Sequence, residues 1–220
     1  MKRNFYILTL LTVLLCNAQN KQKTETIVLP TGKNKLTLYE VLTREDPGRY
    51  TKLDITGSCN TSYIPIDIWD NIPADFLKEN KNAVASQSVF VRTEKNHTIL
   101  LLFGFFYGTG YDEITLISIE GSKTHLLHDN ELETPIAFKD LDNDNKAELI
   151  CHNEPEMISE HVSAYSPYIV YSITANSFTK NLQLTEQYNK IHYVWAGAIY
   201  REDIKVALPN DPEEKYRIIK

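Results

Sequence analysis

Four carboxylates fall within nine residues of this chain: Asp140, Asp142, Asp144 and Glu148 occupy positions 1, 3, 5 and 9 of the stretch that starts at Asp140. Crowding of this kind repels itself, since two unit charges ~4 Å apart cost about 4 kcal/mol at an effective dielectric of about 20. Either the side chains splay into water, as in a solvated polar turn, or a cation draws them together. The alternating spacing favours the cation. Three aspartates can turn inward around a tight loop, and the carbonyl of Lys146 and the carboxylate of Glu148 can close it. Calcium takes about 6–8 oxygen ligands at roughly 2.3–2.6 Å, which this loop and one or two waters could supply. A flexible loop rich in carboxylates suits calcium better than the smaller magnesium ion.

The flanks decide the kind of loop. An EF-hand needs helices on both sides and a bidentate Glu at its twelfth position, which here is Cys151. The neighbours 135–138 and 149–152 are short apolar runs suited to strands. The reading is therefore strand, metal loop, strand. In that form the stretch resembles the short calcium loop of FG-GAP or VCBS-type repeats, Asp-x-Asp-x-Asp-Gly-x-x-Glu or Asp. Asp140, Asp142, Asp144 and Glu148 match that pattern, and Asn145 stands where it has Gly. The position needs a positive φ, which Asn tolerates better than most residues. The resemblance covers about a dozen residues in a single copy. It implies a calcium site and a blade-like setting.

The start of the chain reads as an export signal. Lys2 and Arg3 precede an apolar run over residues 5–15, and Ala18 offers a cleavage point before Gln19. The run is too short to span a bilayer, so no transmembrane segment is expected in the mature chain. A lipid anchor on Cys16 is disfavoured, because Leu15 stands where lipobox sequences carry a small residue. Without residues 1–18 the formal charge goes from −6 to −8, which argues against a nucleic-acid partner and suits hard cations or cationic partners. The remaining cysteines, Cys59 and Cys151, could pair in an oxidising compartment or stay as core thiols.

The elements that must position the loop are mostly strands. The sequence predicts them over 26–29, 36–41, 53–56, 88–93, 98–107, 113–120, 123–127, 168–174, 191–200, 204–208 and 216–219, with turn signals between several of them. Residues 99–106 are apolar but for Gly104, as a strand buried on both faces should be. Short helices are expected at 73–80 and at 185–189, the latter capped by Thr185. The expected organisation is a signal peptide at 1–18, a disordered stretch at 19–25 and one mainly β domain at 26–220. The hairpin spacing predicts antiparallel sheets in a propeller-like or barrel-like arrangement, with a two-layer β-sandwich as the alternative.

Other residues carry weaker chemistry. The loop around Thr109, Tyr111 and Asp112 has two glycines and a Tyr, a plausible partner contact or a plain hairpin turn. Most of the thirteen tyrosines fit cross-strand packing, since aromatics favour strands. His125, His128, Asp129, His152 and His161 lack the spacing of a zinc site. Glu154 and Glu156 flank Pro155 and read as a surface loop more than an acid/base pair. No nucleophile elbow, P-loop or dinucleotide fingerprint appears. The leading expectation is an exported calcium-binding β domain that acts as a non-enzymatic module for a protein or glycan partner. The alternatives are a periplasmic inhibitor or immunity-type protein against a cell-wall hydrolase, and a polysaccharide-acting enzyme with a structural ion.

Overall fold

The computed structural model describes residues 22–30, 32–41, 49–63, 72–80, 84–85, 88–94, 97–105, 112–211 and 213–219. The expected signal segment, Cys16, Thr109 and Tyr111 lie outside the described residues.

The fold is mainly β, in four antiparallel sheets. The first is a meander of β1 (Gln22–Val28), β2 (Asn34–Val41), β3 (Arg49–Gly57) and β4 (Thr61–Tyr63). The second is a meander of β5 (Val84–Ala85), β6 (Val89–Thr93), β7 (Thr98–Phe105), β8 (Asp112–Glu120) and β9 (Lys123–Leu132). The third and fourth interleave along the chain. One has the order β10 (Pro135–Lys139), β11 (Glu148–Cys151), β14 (Ile169–Ile173), β15 (Phe178–Lys180). The other has the order β12 (Met157–Ser159), β13 (Val162–Tyr165), β16 (Arg201–Ala207), β17 (Arg217–Ile219). Helix α1 is Ala74–Glu79 and α2 is Leu182–His192.

Side-chain alternation stacks three of these sheets. Leu100, Leu102, Ile117 and Ile119 pack with Leu36, Leu38, Leu53 and Ile55 between the first and second sheets. The alternate residues Ile99, Leu101, Phe103, Ile114 and Leu116 face the other way, onto Phe76 of α1 and onto Phe138, Leu149, Cys151 and Tyr171 of the third sheet. Ala137, Ile150 and Val170 on the far face of the third sheet pack on Leu184 of α2. The expected two-faced burial of residues 99–103 follows from this, since β7 lies between two apolar layers. Layering of this kind is sandwich-like. No sheet among the described residues closes into a barrel, because each retains two edge strands. Nor do the third and fourth sheets follow the one-meander-per-blade pattern of a propeller.

Several boundaries shift. The first strand begins at Gln22, so residues 22–25, expected to be disordered, pair with β2 in unbroken register. The predicted strand at 191–200 is absent, and α2 covers its first two positions. Its N-cap is Asn181, whose Oδ1 accepts from Leu184 N at 3.0 Å, and not Thr185. Leu184 and Thr185 then face inward, and the Thr185 hydroxyl, 3.0 Å from Val170 N, binds the sheet instead.

Cys59 and Cys151 are both buried and free. The possible disulfide is not formed, because the stacking puts Cys59 in the core between the first two sheets and Cys151 in the core between the second and third.

Candidate metal centre

The loop closes a β-hairpin. Strands β10 and β11 pair through Lys139 and Glu148, so Glu148 is the first residue after the loop and residues 140–147 form it. Short side-chain-to-backbone hydrogen bonds shape the turn. Asp142 Oδ1 accepts from Asp144 N at 3.1 Å, Asp140 Oδ2 from Asn145 N at 2.9 Å, and Asp144 Oδ1 from Lys146 N at 2.8 Å. Asn143 and Asn145 sit at φ 63° and 67°. Asn145 thus fills the left-handed position that the resemblance assigns to Gly.

Asp140, Asp142 and Glu148 come together, each offering a carboxylate oxygen within 4.8 Å of the others. It is the one such group among the described residues. Asp140 and Asp142 are exposed, while Glu148 is 4% exposed and accepts from Leu141 N at 3.0 Å. Burial first, then the three aspartate charges, push the Glu148 carboxyl above its ordinary range, although the Leu141 hydrogen bond pulls the other way. A crowded, all-oxygen, carboxylate donor set of this kind suits a hard dication.

Asp144, expected in the same ligand set, is not part of the convergent group. The Lys146 ammonium lies 2.6 Å from its Oδ2, and its other oxygen is taken by Lys146 N. That pairing holds the Asp144 carboxyl below its ordinary value and raises Lys146. The side chain of Lys146 thus takes the part of a cation that the sequence reading left to the metal.

Neighbouring elements grip both ends of the loop. On the leading strand, Phe138 N donates to Asn80 Oδ1 at 3.2 Å, just past α1. Phe138 O accepts from the Arg92 guanidinium at 3.1 Å, and that guanidinium also lies over the Phe138 ring. Lys139 pairs with Glu79 at 2.5 Å. At the trailing end, Ala147 N donates to Glu94 Oε1 at 2.9 Å. Glu94 stands in the turn of the β6–β7 hairpin, where its N–H donates to His97 O.

The other sequence candidates scatter. Asp112 opens β8 and is half-buried, far in the fold's order from the acidic loop. His128 packs on Phe178 and Asp129 accepts from the Thr115 hydroxyl at 2.6 Å. His152 stacks on Tyr168 and bonds Ser166 O through Nε2 at 2.9 Å, and burial lowers its pKa. Glu154 lines a cavity of about 540 Å³ with Asp75 and His152, and Glu156 does not.

A second polar constellation was not visible in the sequence. Around a cavity of about 430 Å³ lined by His128, Glu131 and Phe178, the Tyr171 hydroxyl donates to Glu133 Oε2 at 2.5 Å and Lys180 Nζ lies 3.1 Å from Oε1. Burial, then Glu133, push the phenol far up, so it stays protonated. Both carboxylate oxygens of Glu133 are engaged, which makes the group a tie of β14 and β15 to the residue just after β9. Glu133 is 38 residues from Tyr171 and 47 from Lys180, and no local spacing signals the cluster. Among the described residues no helix is long and apolar enough to cross a membrane. Compared with known proteins, the chain matches no family model, no curated protein and no solved structure.

Proposed function

We propose that this chain is an exported β domain whose hairpin loop binds one divalent cation, calcium in preference to magnesium, and which serves as a non-enzymatic binding module for a protein or glycan. One observation carries the reading: the carboxylate oxygens of Asp140, Asp142 and Glu148 share a centre within 4.8 Å of one another. The FG-GAP or VCBS-like spacing and the positive φ at Asn145 support the same reading. Asp140, Asp142 and Glu148 would hold the ion, with Asp144 added if its pairing with Lys146 gave way and the Lys146 carbonyl as a neutral ligand. A bound ion would fasten β10 to β11 and stiffen the loop surface for a partner.

Titration calorimetry of the chelated mature protein with calcium tests this directly. Binding heat, and a melting temperature that climbs with calcium, are expected, since a ligand at 100 times its Kd stabilises the native state by about 2.7 kcal/mol. Absence of both at millimolar calcium removes the proposal.

A further inference from the structure

The residue that ties the acidic loop to the rest of the molecule is not in the loop. Glu94 lies 53 residues earlier than Ala147, in the turn of a hairpin of a different sheet, and its side chain is 7% exposed. Its Oε1 accepts the Ala147 N–H at 2.9 Å and lies 3.4 Å from Arg92 Nε. Its Oε2 faces His97 Nε2 at 3.5 Å. Ala147 is itself 1% exposed and immediately precedes Glu148. Through the same side of the hairpin, Arg92 reaches Phe138 O, two residues before Asp140. One hairpin therefore grips the acidic loop just before its first carboxylate and just before its last.

From this we infer that Glu94 is a positioning residue for the cation site, and that cation binding and order in the β6–β7 hairpin are coupled through it. The inference rests on the cation reading of the loop and adds to it a second sheet. The physical argument is one of reach. Glu148 must bring its carboxylate to the centre shared with Asp140 and Asp142. The peptide that leads into Glu148 is fixed by one hydrogen bond from outside the loop, and that acceptor is a buried carboxylate. Partners outside the ligand shell commonly change metal affinity by about 10–100-fold when removed. An ion that orders Ala147 and Glu148 in turn strengthens the Ala147–Glu94 bond, and linkage makes the effect reciprocal.

Charge and reach are separable. Glu94→Gln keeps an oxygen at the same distance and loses the charge. Glu94→Asp keeps the charge and withdraws the acceptor by one methylene. Calcium affinity is measured by calorimetry for wild type, both variants and Glu94→Ala, and hydrogen exchange is followed with and without calcium. Glu94→Gln is expected to stay within about threefold of wild type, whereas Glu94→Asp and Glu94→Ala weaken binding about tenfold. Calcium is expected to slow exchange at Glu94 as well as at Ala147 in wild type, and at the loop alone in Glu94→Asp. If Glu94→Ala fails to fold, Glu94→Asp carries the comparison. Equal affinity in Glu94→Asp and wild type, or calcium protection confined to the loop in wild type, overturns the inference and leaves the metal site standing. No calcium binding by wild type overturns both.

Discussion

Replacing Glu148 with Gln should invert the stability order of two proteins according to whether calcium is present. The buried Glu148 carboxylate lies within 4.8 Å of those of Asp140 and Asp142. Each like-charge pair at that separation costs about 3.5 kcal/mol at an effective dielectric of about 20. Asp140 and Asp142 are exposed, so solvent and salt remove most of that figure. The Leu141 N–H offsets part of the remainder. With burial as the first cause, a net penalty of about 1 kcal/mol on the charged form is left. Glutamine still accepts from Leu141 and carries no charge. Glu148→Gln is therefore expected to stabilise the metal-free protein by about 1 kcal/mol, or about 2–4 °C in Tm for a chain of this size. The same change removes a charged ligand, so the calcium-dependent gain of wild type is lost in the variant.

The pH dependence has a definite sign. The folded Glu148 carboxyl titrates above its ordinary value of 4.5. The native state then binds protons more readily than the unfolded chain, and its contribution to stability rises as pH falls from the raised value toward 4.5. Metal-free wild type should therefore close the gap to Glu148→Gln on acidification. With calcium the sign reverses, because protons compete with the ion for the same oxygens and stability is lost as pH falls. Thermal melts of both proteins across this range, in chelator and in calcium, give the four profiles. A variant less stable than wild type in chelator at neutral pH, or an equal calcium shift in both, would refute the reasoning.

Three further outcomes follow from the same geometry. Lys146→Met removes the ammonium that occupies Asp144 Oδ2, so calorimetry should show calcium affinity several-fold higher, while the metal-free protein melts lower. Asn145, at φ 67°, should tolerate Gly without loss, whereas Asn145→Ala should cost about 1 kcal/mol in thermal unfolding. Cys59 and Cys151 are free and buried, so a thiol reagent should label neither in the native protein and both after denaturation. Labelling that requires prior reduction would refute the unpaired assignment.

The fold was legible where one physical term dominated. Residues 99–103 carry no polar side chain, and a strand with two apolar faces can only sit between two layers, as β7 does. The hairpin setting of the acidic loop was legible because its strand flanks are local. What stayed hidden depends on long-range partners. Residues 191–200 have aromatic and β-branched character suited to a strand, but the helix capped by Asn181 runs on to His192 and takes its start. Strands β12 and β15 are three residues each and largely exposed, so no alternation marks them. The Lys146–Asp144 pair was missed for another reason. Two opposite charges two apart in a turn can meet only when the backbone between them folds back, and the left-handed Asn145 makes that fold. The role proposed for Glu94 has no sequence signal, since its partner is a loop residue 53 positions away.

The hydrogen bonding of the loop also bears on what kind of cation site it would form. Asp140, Asp142 and Asp144 accept hydrogen bonds from following backbone N–H groups, and these bonds set the turn. Asn80, Arg92 and Glu94 hold its two ends from α1 and from the second sheet. A cation would then tighten hydrogen bonds that are already formed, the Ala147–Glu94 bond among them, and binding to a formed site avoids much of the ordering cost that weakens flexible ones. A sensor works differently, because its ion must drive an element between two arrangements that differ by a few kcal/mol. Here the flanking strands are fixed by stacked apolar cores on both faces, and Leu149, Ile150 and Cys151, directly after Glu148, are at most 1% exposed. A shift of β11 large enough to signal would open those cores. The arrangement therefore favours a cation that acts as a staple, strengthening one geometry, over one that switches between two.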